Sequence, residues 1–299
     1  MSTRIRRKVF GEGNPVVTVL LYALAALLAL ICIFPIYYVL VMSVTDAKYA
    51  LSGSIYLLPR NPNLNAYKAI VTNAKMWRAY GNTIFYTVTN TVLMLVTSVP
   101  LAYALSYKDL IGKKFLTTYL LIPMYVSGGM VPYFLVVMRL GLYDSPLSMI
   151  FPSCYSIWYS ILIRSYFRTV PEALSDAAKI DGAGTFQVLR NVFIPLSKPI
   201  LAVISMYTIM ANWNMWFDAM LFLPHDKWHP LQLVLRRMLV EQKTTVANVL
   251  EAKEQAMRGM SNAQLKYAVV IFASLPVICT YPYFQRYFIK GMVIGSLKE

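Results

Sequence analysis

Residues 169–199 read TVPEALSDAAKIDGAGTFQVLRNVFIPLSKP, a polar stretch set between two long apolar runs. Thr169 and Glu172 have the spacing of a capping box, in which a hydroxyl accepts a backbone N–H and the carboxylate reaches back. Pro171 would fall in the first turn, where its missing N–H costs nothing. The spacing therefore predicts a short helix, with Ala173, Ala177 and Ala178 keeping its surface low. Gly182 and Gly184 end it, since glycine accepts the left-handed conformation that closes helices. A second short helix is predicted from Thr185 to about Ile194, with Pro195 as its stop. The unit is helix, glycine turn, helix, proline.

The rest of the chain explains what such a hairpin interrupts. Of 299 residues, 58% are hydrophobic and 14% charged, and mean hydropathy is +0.54. That composition excludes an ordinary soluble domain. The formal net charge of +15 reads as attraction to anionic headgroups or to partners at the membrane surface. No basic cluster is interleaved with aromatics in a nucleic-acid pattern. Cys32, Cys154 and Cys279 lie far apart inside apolar runs and read as core-filling thiols, not a disulfide framework.

Six charge-free runs can each supply a membrane span. They are Gly13–Thr45, Ala79–Tyr107, Phe115–Met138, Ser145–Ile163, Pro199–Phe217 and Tyr267–Gln285, each of at least 19 residues. The basic N-terminus before the first run invites comparison with a signal peptide. The run is too long and no small-residue cleavage site closes it, so a retained helix is expected. The fold class expected is an all-α membrane protein with six transmembrane helices. Pro35, Pro100, Pro123, Pro132, Pro152, Pro276 and Pro282 interrupt these runs, as do Gly128 and Gly129. Such breakers serve either ordinary kinking or gating. An expected division is a tail at 1–15, a six-helix domain at 16–288 and a tail at 289–299.

Lys108, Lys113 and Lys114 join the basic N-terminus in favouring the cytoplasm. Six spans then put residues 169–199 and both termini on that side. The 28 Lys and Arg divide almost evenly between the two sides, so charge alone does not fix orientation. His225 and His229 have the i, i+4 spacing of a zinc pair but lack further ligands nearby, and no metal site is expected. No catalytic constellation is expected either. Asn212, Trp213, Asn214, Trp216 and Asp218 bring amides, indoles and a carboxylate to the end of the fifth run. Indole faces stack on sugar rings and the polar groups bond hydroxyls. The alternative is an interfacial aromatic belt. Trp213 and Trp216 are three apart, so they are expected on one helical face. No P-loop or Gly-rich phosphate cradle occurs, so no cofactor is expected in this chain.

Residues 169–199 resemble the EAA coupling loop of ABC importer permeases. In that family Glu-Ala-Ala precedes Gly by three residues, and nine more lead to Ile-x-Leu-Pro. Here Asp176-Ala177-Ala178 precedes Gly182, and Val192-Phe193-Ile194-Pro195 follows. The departures are Asp for Glu, Val for Ile and Ile for Leu. Residues 128–152, 212–222 and 285–299 extend the resemblance to carbohydrate-uptake permeases of the second, maltose-type subunit. The nearest flavour is the polysaccharide or aldouronate-oligosaccharide subgroup. The resemblance implies a type I importer core in a bacterial cytoplasmic membrane, with the coupling loop between helices 4 and 5. It implies a homologous second permease, two ABC ATPase subunits that bind ATP and Mg, and an extracytoplasmic sugar-binding protein. Glu172, Asp176, Ala177, Ala178, Asp181, Gly182 and Pro195 would meet the ATPase. Asn212, Trp213, Asn214, Trp216 and Asp218 would border the substrate path. The loop containing PHDKWHPLQLVLRRMLVEQ would reach toward the binding protein, or else lie at the headgroups. On this reading the chain is a transport subunit, not an enzyme. A membrane-embedded glycosyl or acyl transferase would need convergent catalytic groups. A secondary transporter would need internal repeats and midplane charges. Neither is apparent.

Overall fold

In lipid, a chain must satisfy its own backbone N–H and C=O groups, and helices do so within one segment. The computed structural model describes residues 15–50, 57–107, 109–240 and 262–296, and no strand occurs among them. Its principal helices are α1 (Pro15–Val44), α2 (Asn65–Thr72), α3 (Ala74–Ser106), α4 (Lys113–Tyr125), α5 (Met130–Arg139) and α6 (Ile157–Phe167). They continue with α7 (Glu172–Ile180), α8 (Thr185–Leu196), α9 (Lys198–Trp213), α10 (Phe217–Phe222), α11 (Leu231–Val240) and α12 (Asn262–Ser296).

The chain divides into two units. The smaller holds residues 1–70 and 244–272. Its α1 is so uniformly apolar that no residue of its most hydrophobic window is buried, as suits a helix whose solvent is lipid. The end of α1 is tied down by side-chain contacts. Ser43 Oγ lies 2.8 Å from the Tyr67 hydroxyl, and Thr45 Oγ1 donates to Val41 O at 2.7 Å. Gln264 Nε2 donates to Asn63 Oδ1 at 2.9 Å, and Tyr38 meets Tyr267 edge-on.

The larger unit, residues 71–243 and 273–299, is built around α3. At 33 residues and ~1.5 Å per residue, α3 is about 50 Å long. It packs against α6, α9 and α11. One apolar cluster joins Tyr103 to Ile163, Phe167, Val188, Phe193 and Ile204. Another joins Tyr86 to Met149, Ile150, Ala219, Leu223 and Leu233. Along the same helix, polar side chains meet backbone groups of irregular segments. Asn82 Nδ2 donates to Lys227 O and His229 O, and the Tyr86 hydroxyl donates to Trp228 O. Thr83 Oγ1 accepts from Leu231 N at 2.8 Å. Asn90 Nδ2 donates to Met149 O at 3.0 Å and to Asn212 Oδ1 at 2.6 Å. Thr97 Oγ1 donates to Cys154 O at 2.9 Å.

The six expected spans meet the structure unevenly. Three helices are long and apolar enough to cross: α1, α3 and α12 over 264–285. Two more crossings count only as bent pairs, α4 with α5 at 114° and α8 with α9 at 80°. The first bend falls at Gly128–Gly129, where Gly129 has φ +82°. The expected span Ser145–Ile163 is not one helix. It breaks around Pro152 into a turn at Leu147–Ile150, a 3₁₀ turn at Phe151–Ser153, and α6, which starts from Ser156 as N-cap. At 11 residues, α6 alone reaches about 16 Å, short of the roughly 30 Å of hydrocarbon. Six spans are therefore not reached by helix length among the described residues. Helix α12 continues to Ser296, through most of the segment expected as a tail. Residues 1–14 and 297–299 of the expected tails lie outside the described residues.

Interhelical amide bonds in membranes contribute roughly 0.5–2 kcal/mol. Asn90→Leu and Asn212→Leu should each lower the thermal midpoint of the detergent-solubilised protein. The double variant should lose less than the sum, because both changes delete one bond. Additive losses would mean that the two amides act independently.

Candidate functional site

The 169–199 stretch folds as two short helices joined by a glycine turn, but its start differs from the expected cap. Thr169 Oγ1 donates to Tyr166 O at 2.8 Å instead of receiving the N–H of Glu172. Pro171 occupies the N-cap position with no side-chain cap, and Glu172 begins the helix. Closing the preceding turn takes the hydroxyl away from the capping box. A reciprocal contact appears at the second helix, where Gln187 Oε1 accepts from Gly184 N at 2.8 Å.

The turn is closed by a Schellman pair. Ala183 N donates to Ala178 O at 2.9 Å and Gly182 N donates to Lys179 O at 3.0 Å. That geometry needs a left-handed residue at Gly182, which has φ +83°. A Cβ there would meet nothing within 4 Å, so the requirement is conformational and not spatial. Pro195 does not stop the second helix. The chain widens to a π turn over Leu189–Phe193 and runs through Pro195 to Leu196. A wide turn accommodates a proline that has no N–H and crowds the preceding carbonyls. The break follows at Ser197, whose N–H donates to Phe193 O at 3.0 Å.

On α7 only Ser175 is buried, while Ala178 packs partly against the Tyr103–Phe167–Phe193 cluster. The other expected coupling residues, Glu172, Asp176, Ala177, Asp181, Gly182 and Pro195, are exposed. Asp176 pairs with Lys179 at 3.1 Å, and that hydrogen bond raises the pKa of the lysine. Leu174 is exposed too, and Ile180 is 86% and Phe186 70% exposed. Together they form an exposed apolar patch on the hairpin. A polar cavity of about 590 Å³ lies behind α7, lined by Tyr103, Tyr107, Asp109, Arg168, Glu172 and Lys179 among others.

The second candidate region lies at the far end of α9. Helix α9 ends at Trp213 with Asn214 as C-cap, and α10 begins only at Phe217. Trp213 and Trp216 therefore do not share a helical face. Trp213 is buried, donates its indole N–H to Ala273 O at 3.0 Å and meets Tyr80 edge-on. Asn212 is buried in the amide contact with Asn90 and donates to Thr208 O at 2.8 Å. Asn214 is exposed; it donates to Met210 O and accepts from Gln232 Nε2 at 3.4 Å. Trp216 lies under the Arg236 guanidinium. Burial raises the pKa of Asp218, against the pull of a hydrogen bond with Tyr133. The two histidines have separate roles. His225 Nδ1 meets Asp144 Oδ2 at 2.6 Å, and buried His229 sets Nε2 against Leu223 O at 2.8 Å. Sequence reasoning missed Asn90 and Arg236. An amide inside a charge-free run, shared there only with Asn82, was a readable signal for Asn90. Nothing local announces that Arg236 stacks on a residue 20 positions earlier.

A bundle of apolar helices that presents an apolar-faced hairpin away from its own core defines a multi-pass membrane protein. The family described as binding-protein-dependent transport system inner membrane component matches residues 79–294, and this chain belongs to it. It is a family of transport components, not of enzymes, and the EAA loop is typical of it. The polygalacturonan/rhamnogalacturonan transport system permease protein YtcP of Bacillus subtilis (strain 168) is 32% identical over 288 residues, covering 95% of this chain and 99% of the relative. Protein LplC of the same organism is 34% identical over 269 residues, 90% of each. A chain from the crystal structure of a bacterial ABC transporter involved in import of the acidic polysaccharide alginate superposes with a TM-score of 0.86 at 31% identity, covering 94% of this chain and 99% of that one.

A left-handed conformation costs an L-residue about 1–2 kcal/mol, and least for Asn. Transport by the assembled system should fall in the order Gly182, Gly182→Asn, Gly182→Ala, Gly182→Val, at unchanged membrane levels. Normal transport by the Val variant would show that the turn geometry is dispensable.

Proposed function

We propose that this chain is one of the two permease halves of a binding-protein-dependent ABC importer for a sugar or oligosaccharide. Its 169–199 hairpin docks on an ATPase subunit. ATP and Mg bind on that partner, and nucleotide chemistry takes place there. The carrying observation is the hairpin itself: a Schellman turn holds two helices whose Leu174, Ile180 and Phe186 face outward. A short helix of this kind fits a groove as a helix-in-groove ligand. The carbohydrate reading is supported by the relatives, named for polygalacturonan, rhamnogalacturonan and alginate.

In this scheme the hairpin and both termini face the cytoplasm. A homologous second permease completes the path, and an extracytoplasmic binding protein delivers the sugar. Another solved chain, of similar fold at TM-score 0.55 and 14% identity, comes from an alginate transporter described in complex with a pentasaccharide-bound periplasmic protein. Closure of the ATPases pushes α7 against the Tyr103–Phe167–Phe193 cluster, so α3, α6 and α8 move as one body. Of the expected path residues, Asn214, Trp216 and Asp218 border the path at the opposite end of α9, with Asn214 the most open to water, while buried Asn212 and Trp213 support them from within.

Ile180→Asp and Phe186→Asp should each abolish co-purification of the ATPase subunits and ATP-driven uptake, while the chain still inserts in the membrane. Retention of the ATPases by both variants would place their docking surface elsewhere.

A further inference from the structure

Where α4 starts and α6 ends, the chain gathers three cations. The two helices pack against each other. Arg164 and Arg168 lie one turn apart on one face at the end of α6. Lys113, the first residue of α4, is repelled by both, and the two arginines repel each other. A helix C-terminus offsets part of such repulsion, but no anion does. Asp109, the carboxylate that attracts Lys113, is exposed and forms no ion pair with any of the three among the described residues.

Two polar groups in this cleft are also left over. Arg164 Nε is buried without a hydrogen-bond partner. So is the hydroxyl of Thr117, one turn after Lys113 on the same face of α4. Lys113 directs one N–H to Tyr107 O and has two more to offer. A buried donor without an acceptor is unfavourable, so the set calls for a ligand rich in acceptor oxygens and negative charge. A phosphate diester has both. Beyond the cations the cleft turns apolar. Half-buried Ile157 and Ile161 continue the arginine face of α6, and exposed Leu116 stands one turn past Lys113. A free phosphate makes no contact with that surface, whereas an acyl chain covers it.

We propose that Lys113, Thr117 and Arg164, with exposed Arg168 beside them, bind the phosphate headgroup of an anionic phospholipid whose acyl chain lies along Ile157 and Ile161. Basic pockets between helices at a membrane surface hold such headgroups. The site rests on the membrane setting of α4 and α6, and not on the cargo or the ATPase. Arg168 also lines the cavity behind α7, so a bound headgroup adjoins the seat of the hairpin.

The test is native mass spectrometry of the full-length chain, purified in a non-ionic detergent. It is titrated with palmitoyl-oleoyl phosphatidylglycerol, with the phosphatidylcholine of the same acyl chains, and with inorganic phosphate. The phosphatidylglycerol should bind at least about tenfold tighter than the phosphatidylcholine. Arg164→Gln and Lys113→Gln should each weaken it about fivefold. Arg164→Lys, which keeps the charge but not the Nε–H, should weaken it less. Thr117→Val, which keeps the shape, should weaken it about threefold. Arg139→Gln, at the far end of α5, should leave it unchanged. Equal affinity for the two lipids overturns the proposal, as does wild-type phosphatidylglycerol affinity in both Arg164→Gln and Thr117→Val. A loss in Arg139→Gln as large as in Arg164→Gln would mark diffuse attraction to net charge and also overturns it. Displacement of the lipid by millimolar inorganic phosphate would make this a free-anion site and overturn the lipid assignment.

Discussion

The larger unit depends on one constraint: backbone groups freed where its helices break must find partners inside the protein. Helix α3 supplies them. Its Asn82, Thr83, Tyr86, Asn90 and Thr97 side chains meet backbone groups of residues 149, 154, 227–229 and 231. Each lies where a helix has stopped or turned, and an unmet group in a lipid setting costs several kcal/mol. The polar residues of α3 are thus the counterpart of the prolines and glycines that break its neighbours. Against α3, a 33-residue element, stand the bent pairs α4–α5 and α8–α9 and the short α6.

The same helix links the two candidate regions. Near its C-terminus, Tyr103 contacts Phe193 at 4.9 Å and Phe167 at 6.3 Å between ring centroids, and those two rings meet at 5.3 Å. Three rings from three helices in edge-on contact resist sliding. Ser175 and Ala178 fasten α7 to this joint, because small side chains let the helix sit close. Toward the other end, Tyr86 and Asn90 hold the segments that carry Trp216, Gln232 and Arg236. In the proposed scheme, a push on α7 reaches a helix that touches both regions.

Much of this was legible in the sequence. Charge-free runs announced α1, α3 and α12, and Gly182 announced the turn between the hairpin helices. Local signals failed where a competing partner won. Thr169 looked like a cap, but the carbonyl of Tyr166 was nearer. Pro195 looked like a stop, but a π turn let the helix pass. The run 145–163 looked like a span, yet Pro152 divides it, and Asn90 and Thr97 on α3 accommodate the break. The aromatic cluster after Ile209 looked like one helical face, but Asn214 caps α9 between the two indoles. Arg236 lay in an amphipathic segment whose pattern said only that one face was polar. Long-range pairs such as Asn90–Asn212 and Trp216–Arg236 leave no periodic trace.

The central claim is that the exposed apolar face of the hairpin is covered by an ATPase. The direct measurement is thiol labelling of Ile180→Cys in a background with Cys32, Cys154 and Cys279 replaced by Ser. In membranes holding this chain without ATPase subunits, the thiol should react rapidly with an aqueous maleimide, as its exposure dictates. In the assembled transporter it should be protected. Equal labelling in both preparations would contradict the account.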